Sequence, residues 1–479
     1  MFPKADIFFL FPAALVPLIL FSVSSRSLPL KFLLSSAAGT LANIILLYWL
    51  YPTMRMNFVS PFSSALGLVL FSIYLGSYWG LFTVMISCSR SFGRIRFYIF
   101  VPACWVLTEY LKGIIFTGFP WLLIGYSMWK VPELLQPASI TGVYGLSFIA
   151  VLFNTLIADS FMRQRVKPLA AGVLLFVILF GTGKSVINNM HAAADTRVAV
   201  LQGNISQYKK FDGRFKSEIM SIYTRLHKQA QDFSPDLVVW PETAAPEPLD
   251  ADIQVYMQIQ NMISETGASE LVGTVEKKGR KYYNSAYMIS PDGTLSEPYR
   301  KIHILPFGEY FPLRGIISRF ADIVNDLGDL DRGNKLELLR AGDHYIATGI
   351  CFESIFGGLI RKFFDNGAQI FVNITNDGWF MDTAGPYQHF VHSVIRAVEN
   401  RTYVIRSANT GISAIIDPAG RILKKTGLLE EAVLTGYAGP SQGKTVYSEY
   451  GDYFVLICLV AAGVIMWEER KCLMRSKKN

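Results

Sequence analysis

Long apolar runs fill residues 1–187 and return at 451–467, whereas 192–447 alternates short apolar runs with polar stretches. A helix that crosses a bilayer needs about 20 largely apolar residues. On that measure the spans fall at roughly 7–24, 29–50, 62–86, 96–115, 138–160, 167–187 and 451–467. The first run has a single early lysine, Lys4, no clear small-residue cleavage site and further apolar runs after it, so it reads as a span and not a signal peptide. Between spans, Phe116-Thr117-Gly118-Phe119-Pro120-Trp121 is broken by Gly and Pro and reads as a re-entrant or surface-lying element. Glu109 is an ionisable group inside a span, where a carboxylate faces a cavity, a partner or the interface.

The middle of the chain reads differently. Strand-like runs are expected at 197–202, 237–240, 271–275, 282–289, 346–350 and 370–374, with a hairpin formed by 411–416 and 421–423 around Asp417-Pro418-Ala419-Gly420. Helical patterns cover 213–231, 250–266, a stretch after 351, and 386–405. This alternation predicts α/β layers. The organisation expected is therefore about six transmembrane helices in 1–190, a globular α/β domain over 192–447, and a last span with a basic tail in 448–479.

Composition sharpens this picture. Only 17% of residues are charged and 51% are hydrophobic, whereas soluble domains carry roughly a quarter charged residues. The net charge of +8 does not indicate a nucleic-acid partner, because the basic residues sit in short loops and the tail. Arg26 and Lys31, then Arg90, Arg94 and Arg96, then Arg163, Arg165 and Lys167 mark every second loop. Arg470, Lys471, Arg475, Lys477 and Lys478 mark the tail. Basic loops face the cytoplasm, so 192–447 is expected on the opposite side, with the N-terminus also outside. Of the five cysteines only Cys351 lies in the middle region, so no disulfide is expected within it. Nor does a Cys/His cluster suggest a metal.

Three polar residues sit at or just beyond the ends of strand-like runs, where sites in α/β sheets gather. Glu242 follows Trp240-Pro241, Lys301 lies in Tyr299-Arg300-Lys301-Ile302-His303, and Cys351 lies in Gly349-Ile350-Cys351-Phe352-Glu353-Ser354. A carboxylate can take a thiol proton and pass it to a leaving group. A cation can stabilise an oxyanion. A helix starting at Cys351 would lower the thiol pKa, with a nearby lysine adding to the effect. His303, His389 and His392 allow a Cys–His hydrolase as an alternative. His389 and His392 stand at i and i+3 of a helical stretch, a spacing that suggests surface residues.

The stretches VVWPET, YRKIHILPFGEYFP, GICFES and FVNITNDGWF resemble the nitrilase, or carbon-nitrogen hydrolase, superfamily. Adding FTGFPWLLIGYS, QPASITGVYGLSFIAVLFN and the final span, nearly the whole chain resembles the apolipoprotein N-acyltransferase family. That resemblance implies a multi-span α-helical membrane domain plus an αββα sandwich. Glu242 would be the general base, Lys301 the oxyanion cation and Cys351 the acylated nucleophile. Glu309 and Glu353 would be supporting carboxylates, and Trp379, Asn284 and Phe352 substrate-pocket residues. The implied partners are a membrane phospholipid acyl donor and a lipid-modified apolipoprotein acceptor, with no metal or organic cofactor. The implied location is the bacterial inner membrane, with the catalytic domain facing the periplasm. Members of the family commonly have eight spans. This chain reads as seven, its start resembling the family's second helix around Ala13-Ala14-Leu15-Val16-Pro17-Leu18. A membrane-anchored nitrilase-like amidase, an acyltransferase with another amine acceptor, and a non-catalytic lipid-binding descendant are the competing readings.

Overall fold

The computed structural model describes residue 4 and residues 6–57, 59–210, 212–249, 252–310 and 329–476, with side chains to 471. Lys477 and Lys478 of the basic tail, Phe311-Pro312 of the YRKIHILPFGEYFP stretch, and Asp250-Ala251 at the start of an expected helix lie outside the described residues. The chain divides into two compact units: 1–55, 60–190 and 450–479 form one, and 56–59 with 191–449 form the other.

The first unit is helical. Helices Leu28–Leu46, Pro61–Ile86, Ala138–Arg163 and Lys167–Asn188 are long and apolar enough to cross a membrane. Helix Arg94–Ile114 matches the expected fourth span but carries Arg94, Arg96, Glu109 and Lys112. Tyr453–Ser476 is one continuous helix, and Arg96 joins it through Glu468 and Glu469 at 2.9 and 2.7 Å. The expected span 7–24 is a correction. It is broken into a 3-10 turn at Phe8–Leu10, further turns, and a short helix Val16–Ser22. Pro12 can donate no backbone hydrogen bond, and Pro17 belongs in the first turn of a helix, so the run restarts there. Helices Leu28–Leu46 and Pro61–Ile86 approach closely. A Cβ on Gly76 would lie 2.5 Å from the Thr40 nitrogen and 2.6 Å from the Ser36 oxygen, the small-residue contact that lets apolar helices associate without a hydrophobic driving force.

The broken segment after residue 115 does not continue the helix. It folds back so that Ile124 N–H donates to Glu109 Oε1 at 2.7 Å and Lys112 Nζ donates to the Trp121 carbonyl at 3.1 Å. Glu109 is therefore buried with a backbone partner, not at an exposed helix end.

The second unit is a two-sheet sandwich. One sheet runs β12-β1-β2-β3-β4-β5 in space, with β1 Thr196–Gln202, β2 Leu237–Val239, β3 Ser269–Lys278, β4 Lys281–Ile289, β5 Tyr299–Arg300 and β12 Ala432–Ala438. The other runs β11-β10-β9-β8-β7-β6, with β6 Leu339–Ala341, β7 His344–Ile350, β8 Ile370–Thr375, β9 Val404–Ala408, β10 Ala414–Ile416 and β11 Ile422–Lys425. The centre of each sheet is parallel: β1, β2 and β3 in one, β7, β8 and β9 in the other. Their strands read as continuous apolar runs because both faces are covered. Helices Lys216–Gln231 and Ile253–Thr266 cover the first sheet, packing Ile219, Tyr223, Leu226, Val255, Ile259 and Ile263 against Ala199, Leu201, Val238 and Val272. The inner faces meet where Ser407 Oγ of β9 lies 3.2 Å from the Leu201 carbonyl and 3.3 Å from that of Val239. The helix expected over 386–405 ends at Asn400, where Arg401 adopts a left-handed conformation and β9 begins three residues later.

Candidate active site

Parallel strands deliver their C-terminal ends to one edge of a sandwich, and the candidate residues sit just past them. Glu242 lies beyond β2, Lys301 directly after β5, Cys351 directly after β7 and Asn376 directly after β8. The Pro241-Glu242-Thr243 segment lies against β3 because Gly273 has no side chain. A Cβ there would be 2.5 Å from the Pro241 oxygen and 2.8 Å from the Thr243 nitrogen.

Glu242 is buried and held at both oxygens. Asn284 Nδ2 donates to its Oε1 at 2.7 Å and the Asn376 N–H to its Oε2 at 2.7 Å. Lys301 Nζ stands 3.5 Å from Oε1 of Glu242 and 2.9 Å from Oε1 of Glu309. Asn284 Nδ2 also donates to Glu309 Oε1 at 2.9 Å, so one amide ties the two carboxylates together. Glu309 Oε2 accepts the Leu305 N–H at 2.8 Å. Burial alone would lower the Lys301 pKa, but Glu309, Glu242 and the Cys351 sulfur outweigh it and drive it well above the ordinary lysine value. The ammonium is thus a fixed positive charge.

Cys351 occupies a left-handed backbone conformation, with φ +52°, which costs a non-glycine residue about 1–2 kcal/mol. The turn is held by Glu353, whose Oε2 accepts the Ile350 N–H at 2.8 Å. Its Oε1 accepts from the N–H groups of Ile302 and His303 at 2.8 and 3.0 Å and from Tyr299 Oη at 2.8 Å. Glu353 therefore links the nucleophile turn to the lysine turn. Two expectations about the thiol are corrected. Cys351 opens a five-residue 3-10 turn, not an α-helix. Burial, reinforced by Glu242, pushes the thiol pKa up, and Lys301 only partly offsets this. The resting group is a thiol, so its proton needs an acceptor.

Asn284, expected in the pocket, bridges Glu242 and Glu309. Phe352 is buried in an aromatic cluster, with its ring 5.3 Å from Phe356 and 6.0 Å from His303. Trp379 is partly exposed on the turn Asp377–Phe380 that follows β8. His389 and His392 are fully buried, contrary to the surface reading. His389 Nε2 meets the Cys351 carbonyl at 3.1 Å, so it addresses the backbone of the nucleophile. Burial and the charges of Arg332 and Lys301 push His303 down to about 4, so it is neutral at pH 7. Sequence reasoning missed Lys210, whose buried Nζ donates to the Glu242 carbonyl at 2.5 Å. It also missed Gln207, which receives Asn376 Nδ2 at 2.6 Å. Neither carries a sequence signal beyond its place in a short polar stretch, which folds as the helical turn Gln207–Lys210. Asn376 was within reach, since it lies in the FVNITNDGWF stretch. No group of side chains suited to a metal ion occurs among the described residues.

The sandwich and its strand-end cluster define a carbon-nitrogen hydrolase domain, and the family model for carbon-nitrogen hydrolases matches residues 197–438. The model for the N-terminal domain of apolipoprotein N-acyltransferases matches residues 1–156. An apolipoprotein N-acyltransferase of Geobacter metallireducens is 36% identical, with 97% of this chain and 91% of the relative covered. One of Methylococcus capsulatus is 33% identical, over 80% of this chain and 75% of the relative. A Saccharomyces cerevisiae nitrilase-superfamily structure, Nit3, is 19% identical over 52% of this chain and 92% of its own, with a TM-score of 0.41. The chain belongs to the apolipoprotein N-acyltransferase family, and it is a membrane protein and an N-acyltransferase.

Proposed function

We propose that the enzyme moves an acyl chain from a membrane phospholipid to the N-terminal amine of a diacylglyceryl-cysteine lipoprotein, through a thioester on Cys351. Glu242 accepts the thiol proton and the thiolate attacks the ester carbonyl. The Lys301 ammonium stabilises the oxyanion that forms. Collapse breaks the ester C–O bond, and Glu242 returns its proton to the departing lysophospholipid oxygen. The amine of the acceptor then attacks the thioester and loses a proton to Glu242. The C–S bond breaks and that proton goes to the sulfur. The balance is ester plus amine to amide plus alcohol, and no cofactor enters.

The observation that carries this reading is the Glu242 carboxylate gripped by Asn284, Asn376 and Lys301, with the thiol's elevated pKa calling for a base. Glu309 and Glu353 support the triad through Lys301 and the nucleophile turn. Trp379, Phe352 and Asn284 would line the substrate pocket, with Trp379 near the side where lipid enters. The helical unit in 1–190 and the segment 448–479 would seat the enzyme in a bacterial inner membrane, with 192–447 on the periplasmic side, as the alternation of basic loops supports. Initial rates measured while phospholipid and acceptor peptide are varied together test the scheme. Covalent catalysis predicts parallel double-reciprocal lines, and intersecting lines would mean direct transfer.

A further inference from the structure

The left-handed backbone at Cys351 needs something to hold it, because strain of this kind persists only where the surroundings over-determine it. Glu353 fixes the N–H before the nucleophile, at Ile350. The carbonyl after it is met from the opposite element, the helix Gly385–Asn400. His389 Nε2 lies 3.1 Å from the Cys351 oxygen and 3.1 Å from Ser354 Oγ, while Ser354 Oγ donates to the same oxygen at 3.0 Å. On the far side of the ring, Nδ1 lies 2.8 Å from Asp377 Oδ1 and 3.1 Å from Arg406 Nη2. Arg406 Nη2 donates to Asp377 Oδ2 at 2.9 Å, and its Nη1 is bonded to Asn373. Asp377 Oδ1 also accepts from Thr375 Oγ1 at 3.1 Å. His389, Asp377 and Arg406 are all fully buried.

We infer that His389 is a positioning residue for acyl transfer: braced by Asp377 and Arg406, its imidazole clamps the Cys351 carbonyl and holds the nucleophile in its strained conformation. This rests on Cys351 being the acylated residue. A trans peptide points its C=O and the following N–H in opposite directions. Holding the Cys351 oxygen toward His389 therefore fixes the whole 351–352 peptide, and with it the direction of the sulfur. Burial and Arg406 lower the His389 pKa against the opposing pull of Asp377, and the nitrogen on the Cys351 side, Nε2, meets the backbone carbonyl oxygen. That distinguishes the arrangement from a Cys–His hydrolase, in which the ring would address the sulfur.

The test compares His389→Leu, which removes the clamp, with His389→Gln, whose amide nitrogen reaches the position of Nε2. Purified full-length enzyme is mixed with phospholipid, and Cys351 acylation is followed by intact mass in a single turnover, beside steady-state kcat and KM. His389→Leu should slow acylation by on the order of 10–100-fold, the cost of a small misplacement of a reacting group, with phospholipid KM unchanged. His389→Gln should recover most of the loss. If the Leu variant does not accumulate, His389→Asn, whose amide is too short to reach the Cys351 oxygen, takes its place. A wild-type rate in the Leu or Asn variant would overturn the clamp. So would a defect confined to KM, or a Gln variant no better than either. Failure of wild type itself to acylate would overturn the thioester reading instead.

Discussion

Asn284 offers the sharpest test of how the base is held. Its Nδ2 donates to the buried Glu242 at 2.7 Å and to the partly buried Glu309 at 2.9 Å. Asn284→Ala removes both bonds and leaves each carboxylate one donor short. Hydrogen bonds to charged groups contribute about 1.5–3 kcal/mol each. Glu242 keeps the Asn376 N–H and Lys301, so it stays in place but can rotate about those contacts. If one such bond is lost from the transition state, acylation of Cys351 slows by roughly 10–150-fold. Asn284→Asp should be worse at neutral pH. It places a third carboxylate beside Glu242 and Glu309, with Lys301 the cation they share, and like charges this close raise a pKa until one group takes a proton. A protonated Glu242 cannot accept from the thiol. The assay is single-turnover acylation of Cys351, with phospholipid KM measured in parallel. Wild-type acylation in Asn284→Ala, or a change in KM alone, would mean that Asn284 contacts substrate and does not align the base.

Three further outcomes follow from the site. Glu353→Ala leaves four donors, at Ile350, Ile302, His303 and Tyr299, without their acceptor. It should destabilise the catalytic domain by about 3–5 kcal/mol, seen as protease sensitivity of the full-length protein in detergent. Burial pushes the Lys210 ammonium down to about 8 from 10.5, with Glu242 and Cys351 opposing. Between those values the unfolded chain holds a proton that the folded chain lacks, so stability rises with pH across that window by up to about 3 kcal/mol. Lys210→Met should lack that rise when denaturant midpoints are compared at pH 7.5 and 10.5. Lys301→Met should abolish thioester formation, because it removes the oxyanion cation and leaves Glu242 and Glu309 facing each other unscreened. An acylation rate within a few-fold of wild type would contradict that role.

The elements that sequence made legible are those where composition and function coincide. The buried strands β1, β2, β7 and β8 are short apolar runs, and the three candidate catalytic residues follow such strands or the short β5. β9 was hidden because no Gly or Pro separates helix Gly385–Asn400 from it; the break is the left-handed Arg401. The buried histidines were misread for a related reason. Helix Gly385–Asn400 carries His389, His392, Arg396 and Glu399, which look like a solvated face. In the fold nearly all of that helix is buried, and Arg396 pairs with Glu399 at 2.9 Å. Burial of such a face is a property of tertiary placement that periodicity does not carry. The direction of the Cys351 pKa shift was missed because it depends on burial, which outweighs the lysine charge.

The claim on which everything else depends is that the acyl chain passes through Cys351. Intact-mass spectrometry of the purified protein after incubation with phospholipid, beside Cys351→Ala, tests it directly. The account predicts a mass increase equal to one acyl chain on wild type only, removed by hydroxylamine as a thioester is. An adduct of the same mass on the Cys351→Ala protein, or transfer to acceptor peptide by that variant, would contradict it.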